Sequence, residues 1–155
     1  MATPAASVAN TFEPDGPLRA DAALAALPGY ALRRAANTMM AELSSRLVAV
    51  DLRIVHATVL LLVGERPDLT SSEIGRIIDV QRANMVPLLA RLENDGLIRR
   101  EPLDRKSQAI VLTAAGAERL AKVRAITEQF EADLMERIPA AHREHFVPAL
   151  HALGG

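Results

Sequence analysis

Residues 69–116 read LTSSEIGRIIDVQRANMVPLLARLENDGLIRREPLDRKSQAIVLTAAG, and this stretch decides the fold. Thr70 followed by Glu73 is a capping-box pattern, in which each side chain satisfies a backbone N–H that helix geometry leaves unpaired. Ile74, Ile77 and Ile78 then give one short apolar face. After Asp79-Val80 a second helix follows, with Met85, Leu88, Leu89 and Leu92 inward and Gly96 as its stop. Two short helices joined by a tight turn form a helix-turn-helix unit. Residues 97–101 and 108–113 pair as strands, with Pro102-Leu103-Asp104-Arg105-Lys106 as the turn between them.

Outward from this unit the chain is helical. Leu32, Ala36, Met39, Met40, Leu43, Leu47 and Val50 recur at helical spacing, which predicts a helix over about residues 29–48. Ile54 to Val63 is apolar on nearly every side, the mark of a helix buried between neighbours, and Gly64 then Pro67 stop it. Thr113 caps a long helix carrying Leu120, Val123, Ile126, Phe130 and Leu134 to Ile138-Pro139. At about 1.5 Å per residue it is roughly 36 Å long, more than so small a domain needs for itself. Phe146, Val147, Leu150 and Leu153 form a last amphipathic segment that Pro148 is expected to kink or break. Residues 1–20, with Pro4, Pro14, Gly16 and Pro17 among small polar residues, read as a mobile arm. Asp21 is placed to cap a short lead-in through Leu27.

The 155 residues carry a formal net charge of −1, so a nucleic-acid partner has to be met by a local patch. Half the chain is hydrophobic but only Tyr30 and three Phe are aromatic, leaving aliphatic residues and Ala to fill the core. The absence of Cys excludes disulfides, thiolate catalysis and zinc-thiolate sites. His142, His145 and His151 sit near one another, but with no acidic partner at a fixed spacing they read as surface residues, so no metal and no cofactor is expected. No triad order, phosphate-cradling Gly loop or convergent carboxylate pair is legible, and the chain does not read as an enzyme. Residues 1–15 lack the pattern of a secretory signal and residues 57–63 are too short to span a bilayer, so a cytoplasmic protein with no membrane role is expected.

Four pieces in order resemble the MarR family over about residues 29–153. They are Leu69-Thr70, Leu92-Glu93-Asn94-Asp95-Gly96-Leu97, Asp104-Arg105-Lys106 and Leu112-Thr113-Ala114-Ala115-Gly116. The resemblance implies a mainly α fold with a small β-hairpin wing, a winged helix-turn-helix lobe joined to a helical dimerisation region. Residues 51–113 would be the DNA-binding lobe, residues 29–50 and 114–155 the dimerisation region, and residues 1–28 the arm. It further implies a homodimer on a near-palindromic duplex, the second short helix in the major groove and the hairpin tip near the minor groove. Three features depart from the family pattern: Lys106 stands where an Arg is usual, the hairpin is about two residues short, and Pro87 lies inside the recognition helix. The last is expected either to bend that helix or to delay its start until near Asn84.

The residues agree with this placement. Gln81, Arg82, Asn84 and Arg91 lie opposite the apolar face of the recognition helix, and Arg reads guanine while Asn or Gln reads adenine through paired hydrogen bonds. Ser71 and Ser72 open a helix and offer hydroxyls and amides to phosphate. Arg99, Arg100, Arg105 and Lys106 cluster at the wing, where Asp104 is expected to hold a neighbouring basic side chain in position. Arg53 and His56 read equally as a solvated helix-start cation with a satisfied buried histidine or as part of a binding site; the resemblance, with effector pockets between the dimer helices and the DNA-binding lobe, implies that with Asn37 they form an effector site for a small organic anion such as an aromatic acid or its thioester. The function expected is a sequence-specific, DNA-binding transcriptional repressor released by that effector. The competing class is a winged-helix adaptor or anti-repressor that binds only protein, which would favour an acidic or apolar recognition face rather than a polar, basic one.

Overall fold

A computed structural model describes residues 18–154. The chain divides into two units, one up to Thr38 and one from Met39 onward. In the first, helix α1 (Leu18–Ala25) begins three residues before Asp21, so that residue lies within the helix rather than capping it. Helix α2 (Pro28–Leu47) starts with Pro at its first position, where the missing N–H costs nothing. Leu24, Leu27 and Leu32 are exposed in the single chain. The guanidinium of Arg33 lies 5.2 Å from the Tyr30 ring centre, which covers one face of that ring.

In the second unit, α2 ends in a short 3-10 turn (Val48–Val50), and Asp51 turns the chain with a left-handed φ of 51°. Helix α3 (Ile54–Glu65) follows, with Ala57, Val59, Leu60 and Val63 buried. Helix α4 (Ser71–Ile77) and helix α5 (Arg82–Asn94) form the helix-turn-helix. Strands β1 (Ile98–Pro102) and β2 (Gln108–Leu112) pair antiparallel in the register Ile98↔Leu112 to Pro102↔Gln108. The long helix α6 (Ala114–Arg137) leads through a 3-10 turn (Ala140–His142) into α7 (Arg143–Gly154). Helix α7 is continuous through Pro148, so of the two expected outcomes the break is not adopted. The lost hydrogen bond falls on a short exposed helix and is tolerated there.

The core gathers residues from α3, α4, α5, α6 and the sheet, with Leu60, Leu69, Ile74, Met85, Leu89, Leu92, Ile110 and Val123 wholly inside. Ile77, predicted inward, is 50% exposed. Residues four apart share a helix face more closely than residues three apart, so Ile74 and Ile78 turn inward and Ile77 rotates out. The segment before α4 also joins the sheet. Ile110 N donates to Leu69 O at 2.8 Å and Thr70 bridges Ala109, which ties the start of the helix-turn-helix to the wing.

The junction of wing and long helix is set by Thr113 and Gly116. The Thr113 hydroxyl donates to Gly96 O at 2.6 Å and accepts from Gly116 N at 2.9 Å. A Cβ on Gly116 would stand 1.9 Å from Leu97 O, a backbone atom that cannot step aside. Gly75 plays the same part inside the helix-turn-helix, where a Cβ would meet Val80 O at 3.0 Å and Met85 Cγ at 3.1 Å. Farther along, α6 is clasped to the end of α2. Arg137 donates to Glu42 at 2.7 and 2.9 Å, Arg46 bridges Glu42 and Asp133, and the Arg46 guanidinium lies 5.4 Å from the centre of the buried Phe130 ring.

Two outcomes follow for stability. Gly116→Ala should cost about 1–3 kcal/mol by forcing α6 off β1, seen as a lowered midpoint in chemical denaturation. Arg137, then Arg46, hold the Glu42 carboxyl below its ordinary range, and Asp133 is lowered by Gln129 and Arg46. Their folded-state pKa values lie below the unfolded ones. The stability they contribute is therefore complete above the unfolded value, about 4.3 for Glu, and is lost as pH falls through the folded one. Glu42→Gln should melt below the parent at about pH 7, and the difference should shrink as pH falls below the unfolded Glu value of about 4.3.

Candidate functional site

Helix α4 is opened by the predicted capping box. Glu73 N donates to Thr70 Oγ1 at 3.3 Å, while Glu73 Oε2 accepts from Thr70 N at 2.8 Å and from its hydroxyl at 2.7 Å. The bonds from Thr70 hold the Glu73 carboxyl below its ordinary range. Ser71 and Ser72 consequently occupy the first two helical positions. The turn to α5 is closed by Val80 N donating to Gly75 O at 2.8 Å, with Asp79 at a left-handed φ of 52°. Between the two helices lies a depression of about 380 Å³ lined by Ser71, Ser72, Arg76, Gln81 and Arg82. Four of these were separate candidates in the sequence, and the fold brings them together. Arg76 was missed. Its signal was its place in the last turn of α4, six residues before Arg82.

The recognition helix starts at Arg82, with Asn84 N and Met85 N both bonded to Gln81 O at 2.9 and 3.2 Å. The later start near Asn84 is therefore not adopted. Gln81, Arg82 and Asn84 are exposed, while Met85, Leu88, Leu89 and Leu92 are buried. Pro87 is on the exposed side. Without an N–H it leaves the Ala83 carbonyl unbonded within the helix.

At the wing, half the positive charge is compensated internally. Arg99 bonds Glu101 at 2.9 Å, and Arg100 bonds Glu93 at 2.7 and 3.2 Å. Arg105 and Lys106 are exposed and enter no ion pair among the described residues. Asp104 does not hold a basic side chain, as was expected of it. Its Oδ1 accepts from the backbone N–H groups of Lys106 and Ser107 at 2.7 and 2.8 Å, because a short acidic side chain reaches its own turn more readily than an Arg head group. The acid shapes the tip that presents Arg105 and Lys106.

On another side of α5 a cleft of about 700 Å³ opens toward α3 and the end of α2. Its apolar walls include Val48, Leu52, Val55, Pro87 and Leu88, and Ser44, Asp51, Arg53, His56, Asn84, Arg91 and Asp95 add polar groups. Arg53 stands at the N-cap of α3 with no capping bond from its side chain. His56, half-buried, is pushed below the usual histidine range by burial and then by the nearby cations of Arg53 and Arg91, so it is neutral at pH 7 and offers one donor and one acceptor. Arg91 was grouped in the sequence with the base-reading residues. The structure turns it into the cleft, where its Nε bonds Asp95 at 2.7 Å and its Nη2 lies 3.5 Å from Asp51. Asn37 is exposed on α2 and is not among the lining residues. Asp51 and Asp95 were missed, since nothing local in the sequence distinguishes a cleft carboxylate from a solvated one. His142, His145 and His151 are exposed, and no group of three metal-ligating side chains occurs among the described residues.

Residues 50–107 match the MarR family. The transcriptional repressor CouR, in a structure bound to a 23-mer DNA duplex, is 30% identical with a TM-score of 0.78, covering 85% of this chain and 95% of that one. The chain belongs to the MarR family. A structure of CouR bound to p-coumaroyl-CoA is 28% identical with a TM-score of 0.76, covering 84% of this chain and 94% of that one. The repressor Rv2887 of Mycobacterium tuberculosis is 26% identical over 128 residues, 81% of this chain and 92% of that protein. Its structure with salicylic acid has a TM-score of 0.65, covering 83% of this chain and 96% of that one. The mainly helical fold with one hairpin is that of winged-helix MarR proteins. Among the described residues no single helix is long and apolar enough to cross a membrane.

Asp104→Ala should leave the melting temperature within about 2 °C, since surface changes of this kind stay within about 0.5 kcal/mol. It should nonetheless loosen the hairpin tip, measured as faster amide exchange at Lys106 and Ser107 than in the parent. Unchanged exchange there would mean that the strands alone hold the turn.

Proposed function

We propose that this MarR-family chain is a sequence-specific, DNA-binding transcriptional repressor that acts as a homodimer and leaves its operator when a small organic acid occupies the cleft. The observation that carries this is the double use of α5. Its exposed N-terminal end, with Gln81, Arg82 and Asn84, lies beside the Ser71/Ser72/Arg76 depression, while Asn84, Pro87 and Arg91 wall the cleft. A ligand there touches the helix that reads DNA. Relatives captured with a duplex, with salicylic acid and with p-coumaroyl-CoA support both halves of the reading.

In this reading Arg82 and Asn84, with Gln81, contact base edges in the major groove, and Ser71, Ser72 and Arg76 hold a phosphate. Arg105 and Lys106 approach the minor groove or its phosphates, with Arg99 behind them. Arg91 serves the cleft. Residues 51–113 are the DNA-binding lobe, and residues 29–50 and 114–155 associate across a two-fold axis. Met40 on α2 and Val147, Leu150 and Leu153 on α7 are exposed in the single chain, an apolar surface that a second copy would cover. The segment 1–28 is an arm, of which residues 1–17 lie outside the described range. The protein works in the cytoplasm as a regulator and not as an enzyme.

Release requires that the ligand prefer a lobe arrangement that does not fit the groove. A preference of about 100-fold, near 2.7 kcal/mol, makes a useful switch, whereas equal affinity for both arrangements shifts nothing.

Fluorescence anisotropy on the DNA upstream of the protein's own gene tests this. Arg82→Ala and Asn84→Ala should each cost about 1–3 kcal/mol at particular base pairs and leave others unaffected. Lys106→Ala should weaken all sequences alike and reduce the salt dependence by roughly two phosphate contacts per dimer. Base preference that moved with Lys106 and not with Arg82 would reverse the roles given to helix and wing.

A further inference from the structure

Resting on the reading above that the start of α5 enters the major groove, we propose that Val86 packs on the 5-methyl group of a thymine and so specifies a T·A pair in each half-site. The composition of the helix's outer side carries this. Met85, Leu88, Leu89 and Leu92 commit one face to the core, and the side turned away from them holds Ala83, Val86, Pro87 and Ala90. None of these four side chains has a hydrogen-bond donor or acceptor. Val86 is 64% exposed, whereas Met85 beside it is 1% exposed. A bulky aliphatic group is thus presented to solvent from within the recognition helix, outside the segments assigned to association between copies.

The neighbours of this strip point to DNA as its occupant. Arg82, four residues earlier, lines the depression beside Ser71 and Ser72, and Asn84 is exposed next to it. The apolar strip therefore continues the polar, basic surface that meets the duplex. Of the four bases only thymine shows an apolar group, its C5-methyl, among the donors and acceptors of the major groove. Pressed against the amino group of cytosine or adenine, the strip would strip water from a donor and offer no acceptor. Against a thymine methyl it buries one apolar group on another. Val86 reaches farthest into the groove, because Ala83 and Ala90 end at Cβ and Pro87 walls the cleft. Its branched side chain strongly prefers one rotamer in a helix, so its methyl groups are placed before the DNA arrives. Val86 stands about 6 Å along the helix from Arg82, roughly two base-pair steps.

A duplex enriched by the full-length chain from a random pool supplies the probe. Each thymine is replaced in turn, in both half-sites, by deoxyuridine, which removes the methyl group and keeps the base pair. Fluorescence anisotropy then compares the parent with Val86→Ala on every duplex. Burial of a methyl-sized group corresponds to about four-fold per half-site, so the parent should lose roughly ten- to twenty-fold at one thymine position. That position should lie within about two base pairs of the pair whose preference Arg82→Ala erases. Val86→Ala should bind the thymine and uracil duplexes within about three-fold of each other there, and keep the parent's preference at the Arg82 pair. Circular dichroism melts of this exposed-site variant should overlay the parent.

A parent indifferent to uracil at every thymine, or a penalty that Val86→Ala leaves unchanged, overturns the inference while α5 remains the DNA-reading helix. A penalty found only far from the Arg82 pair does the same. A pool that yields no enriched sequence overturns the major-groove reading, and the inference falls with it.

Discussion

Burial of Met85, Leu88, Leu89 and Leu92 fixes the rotation of α5 about its axis, and most of what the chain does depends on that rotation. With one face committed to the core, the rest of the helix is divided between its start, open beside α4, and a flank facing α3. A rotation by one residue, about 100°, would take Arg91 out of the cleft and carry Leu88 into solvent. The apolar face is thus a positional constraint on the polar ones. Gly75 serves the same constraint, because α5 packs so near α4 that a methyl group there already presses on Val80 O and Met85.

Charge is arranged with similar economy. The net charge of −1 hides a distribution in which several arginines already have acidic partners: Arg99 with Glu101, Arg100 with Glu93, Arg91 with Asp95, Arg46 and Arg137 with Glu42. Exposed pairs of this kind add little stability. Their effect is on what remains available. At the wing that is Arg105 and Lys106, and at the cleft Arg53. Internal acids therefore mask part of the positive charge that would otherwise act at longer range on any polyanion.

Much of the fold was legible because its signals are local. The Thr70/Glu73 box, the Thr113 cap and the hairpin residues all act within three or four positions, and the all-apolar α3 declares its central place by composition. The errors were tertiary or rotational. Ile77 lies at the edge of a seven-residue helix, where three-residue and four-residue spacings part company. Arg91, grouped from a helical projection with the DNA-facing residues, also lines the cleft beside Asp51, a neighbour that its own helix does not reveal. The bridge from Thr70 to Ala109 joins segments almost forty residues apart and left no trace in either. Asp104 showed its location correctly but not its partner, since carboxylates bond backbone amides and guanidinium groups equally well.

The two carboxylates in the cleft bear on how a ligand would be felt at the DNA. Asp51 belongs to the short turn that joins α2 to α3, and its φ of 51° is an uncommon conformation for a residue with a side chain. Asp95 is the C-cap of the recognition helix, and Arg91 contacts both. The guanidinium therefore links the recognition helix to the segment leading out of the helical region. The turn at Asp51 is itself well held, by Asp51 N donating to Val48 O at 3.0 Å, by Leu52 N donating to Leu47 O at 3.3 Å and by the burial of Val50 and Leu52, so Arg91 ties the recognition helix to a fixed point on the chain path out of α2.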